Sequence, residues 1–107
     1  MTAEEKEQFC FQMILHAGNS RSLSMEAAEK GRNRDYESCD SLIQEARKEL
    51  QQAHQYQSEL IQKFASGEEV ASNVLISHAQ DHLIMATLSL DFVQEIIALR
   101  KELNSSK

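Results

Sequence analysis

Proline is absent from these 107 residues and glycine occurs only three times. Tight turns draw heavily on those two residues, so a chain without them has few places to reverse direction. Sandwiches and barrels with many short loops are therefore excluded, and long helices are expected. The length suits a single hydrophobic core, which commonly serves about 100 to 200 residues, so one domain over residues 1–107 is expected. Apolar residues make up 41% and charged residues 26% of the chain, a balance that folds.

Three polar, breaker-containing spots divide the chain: the acidic start, Gly31-Arg32-Asn33-Arg34, and Ser66-Gly67-Glu68-Glu69. Segment one, roughly residues 4 to 30, carries Phe9, Met13, His16, Ser20, Leu23 and Ala27 at alternating spacings of four and three, a helical stripe. Gly18 interrupts it at a cost of about 1 kcal/mol relative to alanine, which points to close packing against a neighbouring backbone. Segment two, roughly 35 to 65, repeats Tyr36, Cys39, Ile43, Ala46, Leu50, Ala53, Gln57, Leu60 and Phe64 in a clean heptad seam. Asp35 suits its N-cap, Gly67 its stop, and Lys63 the last turn.

Segment three, roughly 70 to 104, carries two apolar stripes. Ile76, Ala79, Leu83, Ala86, Leu90, Val93 and Ile97 form one; Met85, Phe92, Ile96, Leu99 and Leu103, with His78 and His82, form most of the other. A helix apolar on several faces needs cover from outside its own bundle, and a second copy of the chain is the expected cover. Polar residues from Ser77 to Asp91 interrupt the segment too often for a membrane span. The pattern predicts an all-α antiparallel three-helix bundle that associates through its third helix.

Net charge and cysteine usage narrow the setting. A formal charge of −6 has the wrong sign for holding a phosphate backbone, so nucleic acid is not an expected partner. Cys10 and Cys39 are too few for a disulfide scaffold, lack metal-ligand spacing and have no basic neighbour close in sequence; they read as small buried packers in a reducing cytoplasm. The opening residues are acidic without an apolar run, unlike a signal peptide.

From Val70 to Leu90 the only side chain with a formal charge is Asp81, inside Ser77-His78-Ala79-Gln80-Asp81-His82. On a helix it falls in line with Ile84 and Leu88, where a carboxylate is costly unless paired, hydrogen-bonded or bound to a cation. His78 and His82 stand one turn apart on an adjoining face, and Gln80 adds an amide. The plain alternative is a set of ordinary hydrogen-bonded helix residues. Another is a zinc site on His78 and His82, though the pattern is not H-E-x-x-H and a third ligand is not evident. His16 reads as a core or interface histidine, and His54 as a solvated position or one lining the site. There is no phosphate-cradling glycine loop and no serine nucleophile elbow.

These residues resemble the lactose/cellobiose-class IIA components of the bacterial phosphoenolpyruvate-dependent sugar phosphotransferase system. Residues 77–83 are similar to the family's V-H-A-Q-D-H-L-M core, and residues 11–22, Phe11 to Ser22, to its F-Q-I-I-x-x-A-G-x-A-R-S segment. Ala53-His54-Gln55-Tyr56-Gln57-Ser58 and Ala65-Ser66-Gly67-Glu68 match A-H-x-x-Q-T and A-x-G-E. Ser77 and Ile84 depart from the usual valine and methionine, Ser20 from alanine, and residues 33–36 from a frequent G-D-F.

The resemblance implies a cytoplasmic homotrimeric phosphocarrier. His78 accepts a phosphoryl group from HPr and passes it to the cognate IIB protein or domain during uptake of a disaccharide, of cellobiose or chitobiose type rather than lactose. It implies that Asp81 meets its two symmetry mates around one structural Mg²⁺ per trimer, and that the membrane is met only through the IIC permease. Gln80, His82 and also His54 are expected to support His78. The rival is a non-enzymatic helical trimer acting as a regulatory or metal-binding module.

Overall fold

The computed structural model describes residues 2–67 and 74–105 and, among them, contains three α-helices and no strand. They are α1 (Ala3–Arg32), α2 (Tyr36–Ala65) and α3 (Val74–Ser105), lying side by side in a rod of 58 × 19 × 19 Å. Cross-helix contacts run in opposite order along neighbours: Ser20 meets Ala46 while Ala27 meets Cys39, and Gln57 meets Gln80 while Tyr36 meets Asn104. This is the expected antiparallel three-helix bundle. The expected breakers Glu68 and Glu69, the start of segment three at Val70, and Ser106 and Lys107 of the polar tail lie outside the described residues, as does the side chain of Phe64 on the α2 seam.

Helix ends follow their caps. Thr2 accepts the backbone N–H of Glu5 at 3.1 Å and starts α1. At the other end the N–H of Asp35 reaches Lys30 O at 2.9 Å and that of Arg34 reaches Gly31 O at 3.1 Å, the paired bonds of a Schellman turn. The left-handed residue that this turn demands is Arg34, with φ of 63°. Gly31, expected to break the chain, instead lies inside α1, where an added Cβ would come within 3.4 Å of both Cys39 Sγ and Ile97 Cγ1. Close helix approach claimed that glycine, and the turn makes do with arginine. Asp35 then caps α2, its carboxylate accepting Ser38 N–H at 3.2 Å and Ser38 Oγ–H at 2.7 Å. Those bonds, the hydroxyl's first, hold its pKa below the usual carboxylate range. The stabilisation is present above the unfolded-state pKa and is lost as pH falls through the folded one.

Small side chains dominate the core. Cys10, Met13, Ala17, Ala53, Ala79 and Leu83 fill the half near the start of α1, and Ala27, Cys39, Ala46, Leu90, Val93 and Ile97 the other. Ser20 and Ser24 lie between them, fully buried, with Ser20 Oγ donating to Ala46 O at 2.8 Å and Ser24 Oγ to Ser20 O at 2.9 Å. The inward face of α1 is Cys10, Met13, Ala17, Ser20, Ser24, Ala27 and Gly31. It is displaced from the expected stripe, whose Phe9, His16 and Leu23 are half-buried at its edge.

The two halves of the surface differ. α2 keeps its apolar residues on one face, as the heptad seam requires, except for the exposed Ile61, and turns charge outward. α1 and α3 do not: Phe11, Leu15 and Met25 on α1, and Ile84, Leu88 and Phe92 on α3, remain about half exposed or more. α3 is long and apolar enough to cross a membrane by length and composition. Its inner stripe is nevertheless packed on α1 and α2, and Asp81, Asp91 and Glu95 are exposed on its other sides. Gly18 meets nothing within 4 Å of an added Cβ, so the close backbone approach expected there does not occur within the chain.

Exchanging the two roles tests this reading of the α1–α2 turn. Gly31→Val is expected to lose about 1–3 kcal/mol through overpacking against Cys39 and Ile97, whereas Arg34→Gly gains about 0.5–1 kcal/mol by relieving a left-handed non-glycine. Urea titration of the two variants checks both signs.

Candidate functional site

On the first turns of α3 the six residues from Ser77 to His82 distribute over the whole helix circumference, because successive side chains are about 100° apart. Ala79 is the buried anchor. His78 and His82, at i and i+4, form one flank: their Nε2 atoms are 3.1 Å apart and their rings meet edge to face with centroids 4.5 Å apart. His78 is exposed and His82 half-buried. One Nε2–H therefore donates to the other ring's Nε2 lone pair, so the two neutral imidazoles hold opposite tautomers. Continued along α3 with spacings of four and three, the flank runs through Met85, Ser89 and Phe92. With Arg21 and Met25 of α1, these residues line a shallow groove.

Gln80 occupies the opposite flank. Its Oε1 accepts the Nε2–H of Gln57 on α2 at 2.6 Å, and the Oε1 of Gln57 in turn accepts the Nδ1–H of His54 at 3.3 Å. The amide of Gln80 thus gives its oxygen to this chain of bonds and keeps its N–H groups as donors. Within one chain the helix itself separates Gln80 and His54 from the His78 ring, so the expected supporting residues divide: His82 adjoins His78, and Gln80 with His54 does not.

Asp81 stands between the flanks. It is exposed, on the same face as exposed Ile84 and Leu88, as its spacing predicts. Among the described residues no group of three His, Cys, Asp or Glu side chains comes together that could hold a metal. Among the described residues a single chain therefore supplies the His78/His82 pair without a third ligand for zinc, and Asp81 without a second carboxylate for a hard cation. The donor set fits Mg²⁺ only if copies of Asp81 converge.

The remaining candidates are structural. His16 Nδ1 is 2.5 Å from Glu49 Oε2, both partly buried at 21% and 29% side-chain exposure, and the ring stacks on Tyr56 with centroids 6.1 Å apart. Cys10 and Cys39 are buried as expected, and burial raises both thiol pKa values. Cys39 Sγ also donates to Ala27 O at 3.2 Å. Sequence reasoning missed Gln57 as a partner of Gln80. The signal was present: a glutamine on an otherwise apolar heptad seam needs a polar neighbour.

Residues 8–101 match the family described as the lactose/cellobiose specific IIA subunit of the PTS system. The chain is 44% identical over 104 residues, 97% of its own length and 94% of the relative's, to the lichenan-specific phosphotransferase enzyme IIA component of Bacillus subtilis. Its fold superposes on the PTS cellobiose specific enzyme IIA of Bacillus anthracis with a TM-score of 0.93 and 38% identity, covering 100% of this chain and 96% of that one. The IIA(Chitobiose) chain of the IIA(Chitobiose)–HPr complex of the Escherichia coli phosphotransferase system gives a TM-score of 0.81 at 26% identity, covering 92% of this chain and 95% of that one.

The shared proton between the two rings has a spectroscopic signature. Long-range ¹⁵N–¹H correlation at a pH where both rings are neutral is expected to find His78 and His82 in opposite tautomers, and His82→Ala to release the preference at His78. Two rings in the same tautomer would contradict the pairing.

Proposed function

The chain belongs to the lactose/cellobiose specific IIA subunit family of the sugar phosphotransferase system, and on that premise we propose that it is a phosphocarrier whose acceptor is His78. The observation that carries the reading is the exposed His78 ring paired at 3.1 Å with His82 one turn away. A neutral imidazole nitrogen is nucleophilic near pH 7, and the N–P bond it forms is labile enough to hand the group onward. The donor is the phosphohistidine of HPr. As the His78 lone pair bonds to phosphorus, the N–P bond of the donor breaks and its electron pair returns to that ring. The same exchange, repeated with a cognate IIB, empties the carrier.

Such a transfer is positioning and charge stabilisation. His82 presents its ring N–H beside the acceptor and serves the phosphoryl oxygens. The likeness to lichenan-specific and cellobiose specific relatives favours a disaccharide of cellobiose or chitobiose type as the sugar served. In this reading the protein works in the cytoplasm and reaches the membrane only through the IIC permease.

We propose further that three copies assemble through the exposed face of α3. Asp81, set among the exposed Ile84 and Leu88, supports a three-fold arrangement. Three converging Asp81 side chains would repel in an apolar seam, and one Mg²⁺ with oxygen ligands removes the penalty. The ion's contribution is charge neutralisation at the axis; the phosphoryl chemistry stays with the histidines.

Phosphoenolpyruvate, Enzyme I and HPr are expected to add one phosphoryl group per chain, read by intact mass under mildly alkaline conditions, and none to His78→Ala. An unlabelled wild type beside labelled HPr overturns the carrier reading. Sedimentation equilibrium is expected to give a trimer, and a monomer at micromolar concentration overturns the assembly. Asp81→Leu keeps the trimer and loses the ion, since replacing a buried charge cluster by apolar residues is often neutral or stabilising by about 1–4 kcal/mol.

A further inference from the structure

We infer that His78 and His82 form a two-histidine chelate for a borderline transition-metal dication, of the group Co²⁺, Ni²⁺, Cu²⁺ and Zn²⁺, and that the bound ion switches phosphoryl transfer off. The inhibitory half rests on the carrier reading proposed above. The binding half stands on the geometry of one chain and needs no second copy.

That geometry is a matter of bite. Imidazole nitrogens bind such ions at about 2.0–2.1 Å. Two nitrogens held at the 3.1 Å found between Nε2 of His78 and Nε2 of His82 meet one ion at an N–metal–N angle of roughly 95–100°. The value falls between the right angle of square-planar and octahedral sites and the wider angle of a tetrahedron. The ion sits about 1.3 Å off the line joining the two nitrogens. In the hydrogen-bonded pair one lone pair faces the N–H of the other ring. A tilt of each ring about χ2, a broad torsion in histidine, turns both lone pairs to the common point.

The surroundings suit a dication that comes and goes. His78 is exposed and His82 half-buried, so the remaining coordination positions open to water. No lysine or arginine occurs from Val70 to Leu90, the one formal charge there is the carboxylate of Asp81, and the whole chain carries −6. Such a field draws cations. Among the described residues no group of three His, Cys, Asp or Glu forms. A closed site of four protein ligands holds a structural ion, whereas two ligands completed by water make an open site that fills and empties with the free metal. The other histidines offer no such pair, since Nδ1 of His16 is engaged by Glu49 and Nδ1 of His54 by Gln57. Mg²⁺ prefers oxygen donors, so an ion on Asp81 does not compete for the two imidazoles.

Coordination removes what the carrier needs. The ion exchanges two of its waters for the two Nε2 lone pairs. The ring that had donated the hydrogen bond moves its proton from Nε2 to Nδ1, a change of tautomer without net gain or loss of protons. His78 then carries the ion on one nitrogen and a proton on the other. Neither nitrogen keeps a lone pair for phosphorus, so the donor retains its phosphoryl group. His82 is essential to the switch, because one imidazole alone lacks the second ligand that the helix presents at high effective concentration.

Calorimetry of the wild-type protein, kept in Mg²⁺ and titrated with NiCl₂, is expected to give one Ni²⁺ per chain, with Cu²⁺ tighter and Co²⁺ weaker. His78→Ala and His82→Ala each weaken Ni²⁺ about tenfold or more, while His54→Ala, which removes an exposed imidazole elsewhere, binds as wild type does. Ni²⁺ just sufficient to fill the wild type is expected to slow its labelling by phospho-HPr about tenfold or more, and EDTA to restore it. The labelling rate of His82→Ala, whatever its value, is unchanged by the same Ni²⁺, which excludes an effect on HPr. Binding that survives both histidine substitutions is an adventitious ion only and overturns the site; filled chelate with unchanged labelling overturns the switch. A wild type that takes label but binds no ion overturns this inference alone. One that binds Ni²⁺ through both histidines yet takes no label from labelled HPr overturns the carrier reading and the inhibition with it, so the two failures are distinguishable.

Discussion

A helix in a three-helix bundle can turn one face to its two neighbours, and α3 is apolar on two. The inner stripe from Ala79 to Ile97 is spent on α1 and α2. The outer face keeps Ile84, Leu88, Phe92 and Leu99 half exposed or more, each with about 1 kcal/mol of burial still to be gained. That unused surface is what the rest of the molecule is arranged around. α2 is charged over most of its outer face, while α1 extends the uncovered apolar area with Phe11, Leu15 and Met25. Asp81 interrupts the same face. A polar position on an apolar face is a weak source of stability, because burying a carboxylate without a partner is costly.

Within the chain the controlling constraint is the small size of the residues between α1 and its partners. Ala17, Ser20, Ser24, Ala27 and Gly31 face Cys39, Ala46 and Ala53, and the distance between helix axes is set by the side chains at the contact. This explains why buried polar atoms are tolerated there: Ser20 and Cys39 each reach a backbone carbonyl that close approach of the facing helix has brought within range, while Ser24 bonds back to Ser20 O in its own helix. It also explains the unusual turn. The only glycine near the end of α1 is needed three residues before the chain reverses, so a left-handed arginine makes the turn.

Most of the fold was legible because periodicity carries it. The α2 seam from Tyr36 to Leu60 was readable without error, since a strict heptad admits one face, and the ends of α1 and α2 fell within two residues of their expected limits. The face of α1 was less legible. Its inward residues are Cys10, Ala17, Ser24 and Gly31, types that hydropathy hardly distinguishes from surface, whereas Phe9, His16 and Leu23 look like core and sit at the edge. At the site, the i and i+4 spacing of His78 and His82 placed them together, and the line from Asp81 to Ile84 and Leu88 placed the carboxylate on an exposed apolar face. Gln57 on the apolar seam signalled a polar neighbour without identifying Gln80, and the Glu49 partner of His16 was not readable, because contacts between helices depend on how two faces are set against each other.

The division of polar groups around α3 gives these features a common cause. An enzyme acting on a small molecule gathers its groups in a cavity, where exclusion of water strengthens each of them. A carrier that exchanges a phosphoryl group with other proteins has a different constraint, since its substrate is an imidazole on a folded surface and must be met on open ground. His78 is exposed, on the flank of a helix and not at the bottom of a pocket, which suits the carrier role proposed for it. Open ground supplies few fixed donors, and a single helix offers His78 only His82. Gln80 stands on the far flank, where its bond to Gln57 ties α3 to α2 and the helix separates it from the His78 ring of its own chain.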